Sequence, residues 1–391
     1  MSFSFEFASA VRLVFGPGVK EQAVAALAAW GVRSVLIVTG RDAARAAPFT
    51  TDLTAHGIAA VAFAVAGEPT VELARAGVRA AREAGAEGVI AVGGGSVLDA
   101  GKAIAALATN GGEPLDFLEV VGAGKALAQP ALPFVAVPTT AGTGAEVTRN
   151  AVLAVPEARV KASLRSPLML PRLAVVDPDL LAPLPRATIA SGGLDALSQV
   201  IEPFVSVRAN PLSDALAREG IRRSAGALGR AYVNGLANDA AARADLAIAS
   251  VCGGLCLANA GLGAVHGFAA PAGGMLGAPH GAICAALLPH VMTVNLRALR
   301  ARAPEHPALR RLREVAALLT AEAPEDVAAE DGITFVSALC ATLNIPGLTS
   351  YGLGATDIPA LVERAKAASS MRGNPLPLSD TELTEIVERA L

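Results

Sequence analysis

Two histidines, His266 and His280, bracket a glycine- and proline-rich run in AVHGFAAPAGGMLGAPHGAICAALLPHVM, and Asp195 and Gln199 stand four apart in SGGLDALSQVIEPF. Imidazole nitrogens and carboxylate oxygens are the usual ligands of a divalent ion. On one unbroken helix the two histidines would lie about 21 Å apart, whereas two ligands of one ion need donor atoms within roughly 4 Å. Pro271, Gly273, Gly274, Gly277 and Pro279 predict a broken helix. His266 then ends one helix, His280 starts the next, and the two can converge. Asp195 and Gln199 share one helix face. The chain has five histidines, and three of them (His266, His280 and His290) fall in this stretch. A lone histidine is ordinarily a satisfied core residue or a cap. Two around a break, with a carboxylate and an amide on another helix, point to a metal held by Asp195, His266, His280 and Gln199. Three firm ligands with an open position suit a catalytic ion.

A second kind of chemistry is written into GVIAVGGGS, Gly88–Ser96, followed by VLDAGKAIAALATN. This is a buried strand, a triple glycine, and a helix opening at Ser96 or just after. Glycine lets backbone approach a phosphate closely, and a helix N-terminus offers unpaired N–H groups at a positive dipole end. Neither G-x-G-x-x-G nor the P-loop template fits: Gly95 to Gly101 and Lys102 is one residue too long, and Ala103 replaces Ser or Thr. A second loop, VAVPTTAGTGAEVTRN, places Thr139, Thr140, Gly142, Thr143 and Gly144 after another strand. Two such loops at the carboxyl ends of parallel strands form a crevice suited to a nucleotide.

The elements that must position these groups follow a simple plan. Apolar runs at Ser34–Thr39, Ala59–Ala66, Gly88–Val92, Phe134–Val137 and Leu173–Val176 read as strands, and helical patterns near 20–30, 71–84 and 97–109 separate most of them. Continuous apolar strands alternating with helices imply a parallel sheet covered on both faces. Asn150–Val155 reads as an extra strand or hairpin. After Asp177 the texture changes: Pro178, Pro183 and Pro185 punctuate the chain, and from Thr188 onward the pattern is helical. The expected organisation is a Rossmann-like α/β domain over 1–184 and an all-helical domain over 185–391.

Composition limits the function classes. A net charge of −3 without any Lys/Arg-rich run argues against nucleic acid. Cys252, Cys256, Cys284 and Cys340 match neither a disulfide lattice nor a zinc ribbon, so a reducing, cytoplasmic setting is expected. Cys252 and Cys256, one helical turn apart, read as packing residues. The first residues carry no basic segment followed by an apolar block. No Asp, Glu, Lys or Arg occurs from Leu246 to Leu296, and Leu246–Val265 has the length of a membrane span. Its glycines, Asn259 and lack of cationic flanks read instead as the central helix of a soluble domain.

Several strings, in order, resemble the iron-containing (group III) alcohol dehydrogenases: VRLVFGPG, VGGGSVLDAGKA, PTTAGTGAEVT, LAVVDPDLL, GGLDALSQVIEPFVS, PHGAICAALLPHVM and a late GNP. The resemblance spans nearly the whole chain. It implies the dehydroquinate synthase-like architecture, a dinucleotide-binding domain before a metal-binding one, and an active site in the cleft between them. It also implies that Gly94, Gly95, Ser96, Asp99, Thr139, Thr140, Thr143 and Lys161 surround NAD or NADP. Asp195, His266 and His280 fall on the family's ligands to iron or zinc, and a homodimer is the expected assembly. The implied reaction moves a hydride between nicotinamide and a small alcohol or aldehyde, with the metal as Lewis acid.

Three departures from the family pattern stand out. Gln199 replaces a usual histidine ligand; an amide oxygen is a weaker donor, although glycerol dehydrogenases, distant relatives, manage with one Asp and two His. Ala270 replaces a histidine near the substrate, so a proton relay would run through water or the cofactor ribose. Gly40 replaces the Asp of NAD-preferring members, and with Arg41 beside it tolerates a 2′-phosphate. A carbon–oxygen lyase of the dehydroquinate synthase type, or a maleylacetate reductase, would want cationic contacts for its substrate. Segments 188–206 and 262–292 contain no Lys or Arg, which favours a neutral substrate. A nucleotide-binding protein without catalysis is the remaining alternative.

Overall fold

The computed structural model describes residues 4–158 and 160–391. Two compact units emerge: one comprises Ala8–Thr140 and Gly144–Ala182, the other Ala141–Thr143 and Pro183–Leu391 together with residues 4–7.

The first unit is built on six parallel strands in the order β1-β8-β5-β4-β2-β3. They are β1 (Leu13–Phe15), β2 (Ser34–Gly40), β3 (Ala59–Val65), β4 (Gly88–Gly93), β5 (Phe134–Pro138) and β8 (Leu173–Val176). Helices α1 (Gln22–Ala29), α2 (Ala47–Ala55), α3 (Val71–Glu83), α4 (Gly95–Thr109) and the short α5 (Pro114–Phe117) connect the earlier strands, and β6 (Asn150–Val155) and β7 (Val160–Arg165) form an antiparallel hairpin. Alternate strand residues feed two cores. Val35, Ile37, Ile90, Val92, Val135, Val137 and Val175 pack with α1 and α2, while Leu36, Val38, Val89, Ala91, Phe134 and Ala136 pack with α4. Burial on both faces is why these strands read as unbroken apolar runs. β1 is a three-residue edge strand paired to β8 alone, too short to show a period. α2, with the sequence APFTTDLTA, is poor in helix formers and is held by buried Phe49 and Leu53.

The second unit contains α6 (Arg186–Val205), α7 (Pro211–Asn234), α8 (Ala240–Ala260), α9 (Ala264–Leu276), α10 (His280–Arg302), α11 (Pro307–Thr320), α12 (Ala329–Thr342), α13 (Ile358–Ala367) and α14 (Asp380–Arg389). Helix α6 lies against α7, α8 and α10. Length and composition alone would let α8 and α10 cross a membrane, but 83% of α10's most apolar stretch is buried, and α8 packs along α6 and α7. Both read as core helices. The expected helix over Leu246–Val265 is in fact two, because α8 stops at Gly261, which takes a left-handed φ of 68°.

The expected break between the histidines also needs correction. Pro271, Gly273 and Gly274 lie inside α9, whose buried face overrides their low propensity. The reversal is confined to Gly277, with φ of 64°, Ala278 and Pro279. His266 therefore sits in the first turn of α9, not at the end of a helix.

Candidate nucleotide loops and metal centre

In the α/β unit, β2 leads outward to β3 while β4 leads the other way, to β5. The carboxyl ends of β2 and β4 thus bound a topological switch point, where α/β sheets bind ligands. Thr39 is level with Val92, and Gly93 with Pro138, so Gly40, the triple glycine and the threonine loop share one edge. Helix α4 opens at Gly95 behind Gly94, with no side chain capping its N-terminal N–H groups. A methyl on Gly94 would come within 3.1 Å of Thr140, and one on Gly93 would collide with Val97 at 2.5 Å. These glycines keep the turn narrow and its backbone bare, as a pyrophosphate requires. The Thr139 N–H donates to the Gly93 carbonyl (2.9 Å), tying the two loops together.

Other expected cofactor residues have protein partners as well. Asp99 accepts from the Val152 N–H (3.0 Å) and pairs with Lys102 (3.0 Å). Lys161 pairs with Glu68 at 3.1 Å. Lys102, which the sequence offered only as the lysine of a misfitting P-loop, is fully buried and donates to the Ala145 carbonyl (3.0 Å) and Thr148 Oγ1 (2.9 Å), anchoring the threonine loop onto α4. Near it, burial pushes the Glu146 carboxyl up to about 7, against the opposing pull of its own backbone N–H and Lys102. At the end of β2, Arg41 donates to the Ala66 carbonyl (2.9 Å), and a side chain at position 40 would meet nothing closer than Val97 at 3.9 Å.

In the helical unit, α6 presents Asp195, Gln199 and Glu202 at i, i+4 and i+7, one face of the helix. His266 Nε2 lies 3.2 Å from Asp195 Oδ1, and His280 Nε2 lies 3.8 Å from the same oxygen. Cys284 Sγ is 3.7 Å from each of those ring nitrogens. One donor atom from each of these four residues lies within 4.8 Å of the others. Donors around one tetrahedral ion stand about 3.3–3.6 Å apart, given bonds of about 2.0–2.3 Å. The cluster therefore fits a single divalent ion. Asp195 and His266 are buried, and His280 is one-third open.

Glu202, which the sequence reading missed, fixes the orientation of His266. Its Oε2 lies 2.7 Å from His266 Nδ1, and its Oε1 accepts the Val265 N–H at 2.6 Å. A carboxylate oxygen accepts, so Nδ1 donates to Glu202, and Nε2, on the Asp195 side, is the ring nitrogen that would face a bound ion. Asn374, from the late GNP string, accepts from the Ala264 N–H at 3.2 Å and so steadies the same turn. Burial opposes charge on Asp195, but His280 and His266 outweigh it and hold its carboxyl below the usual range. Burial likewise opposes charge on His266, yet Cys284, Asp195 and Glu202 raise it well above the ordinary imidazole value. The pocket stabilises positive charge, which a metal ion can supply in place of protons.

Gln199 also holds a neighbouring segment of the chain. Its Nε2 donates to the Gly142 carbonyl (3.1 Å), while Ser250 Oγ accepts the Gly142 N–H (2.9 Å). The amide clamps the Ala141–Thr143 segment, and its Oε1 is buried without a hydrogen-bond partner.

Comparison with known proteins agrees with this geometry. Residues 10–178 match the iron-containing alcohol dehydrogenase family, and residues 189–391 match the C-terminal domain of the Fe-containing alcohol dehydrogenase family. Alcohol dehydrogenase 4 of Saccharomyces cerevisiae is 37% identical over 323 residues, covering 82% of this chain and 80% of that protein. A crystal structure of 1,3-propanediol oxidoreductase superposes with a TM-score of 0.91 at 32% identity, covering 100% of both chains. The sulfoacetaldehyde reductase of Bifidobacterium kashiwanohense, solved with NAD+, gives a TM-score of 0.86 at 27% identity, covering 100% of this chain and 99% of that one. With this cluster and these matches over both units, the chain belongs to the iron-containing alcohol dehydrogenase family and is a metal-dependent alcohol oxidoreductase.

Proposed function

We propose that the protein interconverts small, neutral primary alcohols and their aldehydes using NAD or NADP, with one divalent ion held by Asp195, His266 and His280. The observation that carries this reading is the convergence of those three side chains on one point, with Glu202 behind His266. When bound, the ion supplies Lewis acidity to a substrate oxygen and the nicotinamide gives or takes the hydride.

The chain's own residues do the rest. Glu202 keeps the His266 lone pair directed at the ion. His280 and His266 keep Asp195 ionised. Partly open His280 marks the side from which a substrate can reach the cluster. The bare N-terminus of α4, with Gly94, Gly95 and Ser96, receives the pyrophosphate, flanked by Thr139, Thr140 and Thr143; Asp99 and Lys161 act by shaping the loops around it. Gly40 and Arg41 leave room and positive charge for a 2′-phosphate. Ala270 offers no proton donor, so protons leave through water or the cofactor ribose. The absence of Lys and Arg from segments 188–206 and 262–292 supports uncharged substrates, such as the 1,3-propanediol named for one structural relative. The four cysteines are free, in keeping with a reducing cytoplasm, and a homodimer is the assembly we propose.

The test is turnover of a panel of short alcohols, diols and aldehydes with both cofactors, alongside elemental analysis. About one zinc or iron per chain is expected, lost with activity in Asp195→Ala and His280→Ala, since removing one strong ligand takes away much of the binding free energy. Full activity in protein free of metal would overturn the proposal.

A further inference from the structure

Cys284 stands four residues after His280 on α10, hence one turn along the same face. It is completely buried, and its sulfur points at the two ring nitrogens that themselves converge on Asp195. A zinc–sulfur bond of about 2.3 Å and a zinc–nitrogen bond of about 2.1 Å, opened to the tetrahedral angle, separate sulfur from nitrogen by about 3.6 Å. Both observed separations are 3.7 Å. Gln199, also on this face of α6, has its amide nitrogen engaged with Gly142 and its oxygen without a hydrogen-bond partner.

We propose that Cys284 is a protein ligand of the ion, completing a set of one carboxylate, two imidazoles and one thiolate. This rests on the reading that Asp195, His266 and His280 hold a metal. On binding, the S–H bond of Cys284 breaks heterolytically, its electron pair goes to the ion, and the proton leaves to solvent; nothing is oxidised or reduced. Asp195 and the thiolate together match the charge of a divalent ion, and the soft sulfur donor favours zinc. The family's name for iron therefore does not decide the metal of this chain.

The other three thiols are poor substitutes. Burial pushes Cys252 up to about 11 and Cys340 up to about 12, and Cys256, also raised by burial, donates to the Ser213 carbonyl.

The experiment loads metal-depleted full-length protein with Co(II), measures bound cobalt by elemental analysis, and records the near-ultraviolet spectrum. Cobalt bound through sulfur shows an intense thiolate-to-metal charge-transfer band; cobalt bound only by nitrogen and oxygen does not. Wild type and Cys340→Ser should both show the band at about one cobalt per chain. Cys284→Ser should lack it and bind cobalt at least about tenfold more weakly. Cobalt bound without the band in wild type, or a band surviving in Cys284→Ser, would overturn the assignment while leaving the metal centre intact. No bound cobalt at all would overturn both. Should Cys284→Ser fail to fold, X-ray absorption on zinc-loaded wild type decides alone, because a sulfur neighbour at about 2.3 Å is either present or absent.

Discussion

Replacing Glu202 by Gln removes one charge with almost no change of shape, so its effect isolates the carboxylate's work. In the native protein the two oxygens of Glu202 serve two donors, the Val265 N–H at 2.6 Å and His266 Nδ1 at 2.7 Å. An amide has a single oxygen. If that oxygen keeps Val265, the NH2 group faces Nδ1, and the imidazole proton must move to Nε2. The Nε2 lone pair that a bound ion would need is then lost. If the oxygen keeps Nδ1, two N–H donors meet at Val265 and the first turn of α9 must shift. Either way a buried, charge-assisted hydrogen bond is replaced by a weaker one or a clash, a cost of roughly 1–3 kcal/mol. Losing such a supporting partner typically weakens metal binding about 10- to 100-fold, equivalent to about 1.4–2.7 kcal/mol. The assay is competition between apo-protein and a chromophoric chelator for Zn(II), with thermal melts of both apo-proteins as a folding control. Zinc affinity within about twofold of wild type, at unchanged melting temperature, would refute the idea that Glu202 sets the His266 tautomer.

Cofactor choice provides a second check: NADPH should serve at least as well as NADH, and Gly40→Asp should shift the ratio of kcat/KM values toward NADH by about tenfold or more, or about 1.4 kcal/mol. A strong native preference for NADH would mean that another residue sets selectivity. Glu146 predicts a pH dependence of stability: its folded value near 7 lies above the ordinary 4.5, so the folded state binds the extra proton between those limits. Stability should fall as pH rises from about 4.5 to about 7 and level off above that, and Glu146→Gln should be the more stable protein at pH 8 by up to roughly 3 kcal/mol, yet no different below about pH 4.5; denaturant melts that give the two proteins parallel pH profiles would exclude this.

Much of the architecture was legible because it rests on local patterns. Buried parallel strands announce themselves as apolar runs, and Ser34, Gly88, Phe134 and Leu173 are the first residues of both the expected and the observed strands, as is Ala59 of the mostly exposed edge strand β3. What stayed hidden depends on tertiary contacts. Nothing local reveals that α9 runs through Pro271, or that Gly142 accepts a hydrogen bond from Gln199. Two site residues could have been found by the arithmetic that paired Asp195 with Gln199. Cys284 follows His280 by four and Glu202 follows Asp195 by seven, so each shares a face with an expected ligand. The cysteine was weighed only against disulfide and zinc-ribbon templates, neither of which anticipates one thiol among imidazoles. Glu202 gains its part only because α9 begins beside α6, a fact of packing.

That packing explains why one helix can organise the whole centre. On the chemical face of α6, three neighbouring segments contribute a glycine at the contact. A methyl at Gly281 would come within 2.6 Å of the Ser191 carbonyl and 3.4 Å of the Asp195 Cβ; at Gly263, within 2.9 Å of Glu202 Oε1; at Gly253, within 3.1 Å of the Gln199 Cβ. Gly281 lets α10 start close enough for His280 to reach Asp195. Gly263 lets α9 start where Glu202 can grip its first turn, and Gly253 lets α8 lie against the residue that clamps Gly142. Helices separated by ordinary side chains pack about 8–10 Å apart, and a glycine at the contact removes the Cβ that would hold them there. The glycines of LDALSQVIE's neighbours are therefore as much a part of the metal centre as its donors. They bring three backbones close to α6, and the donor groups need no long, flexible side chain to find each other.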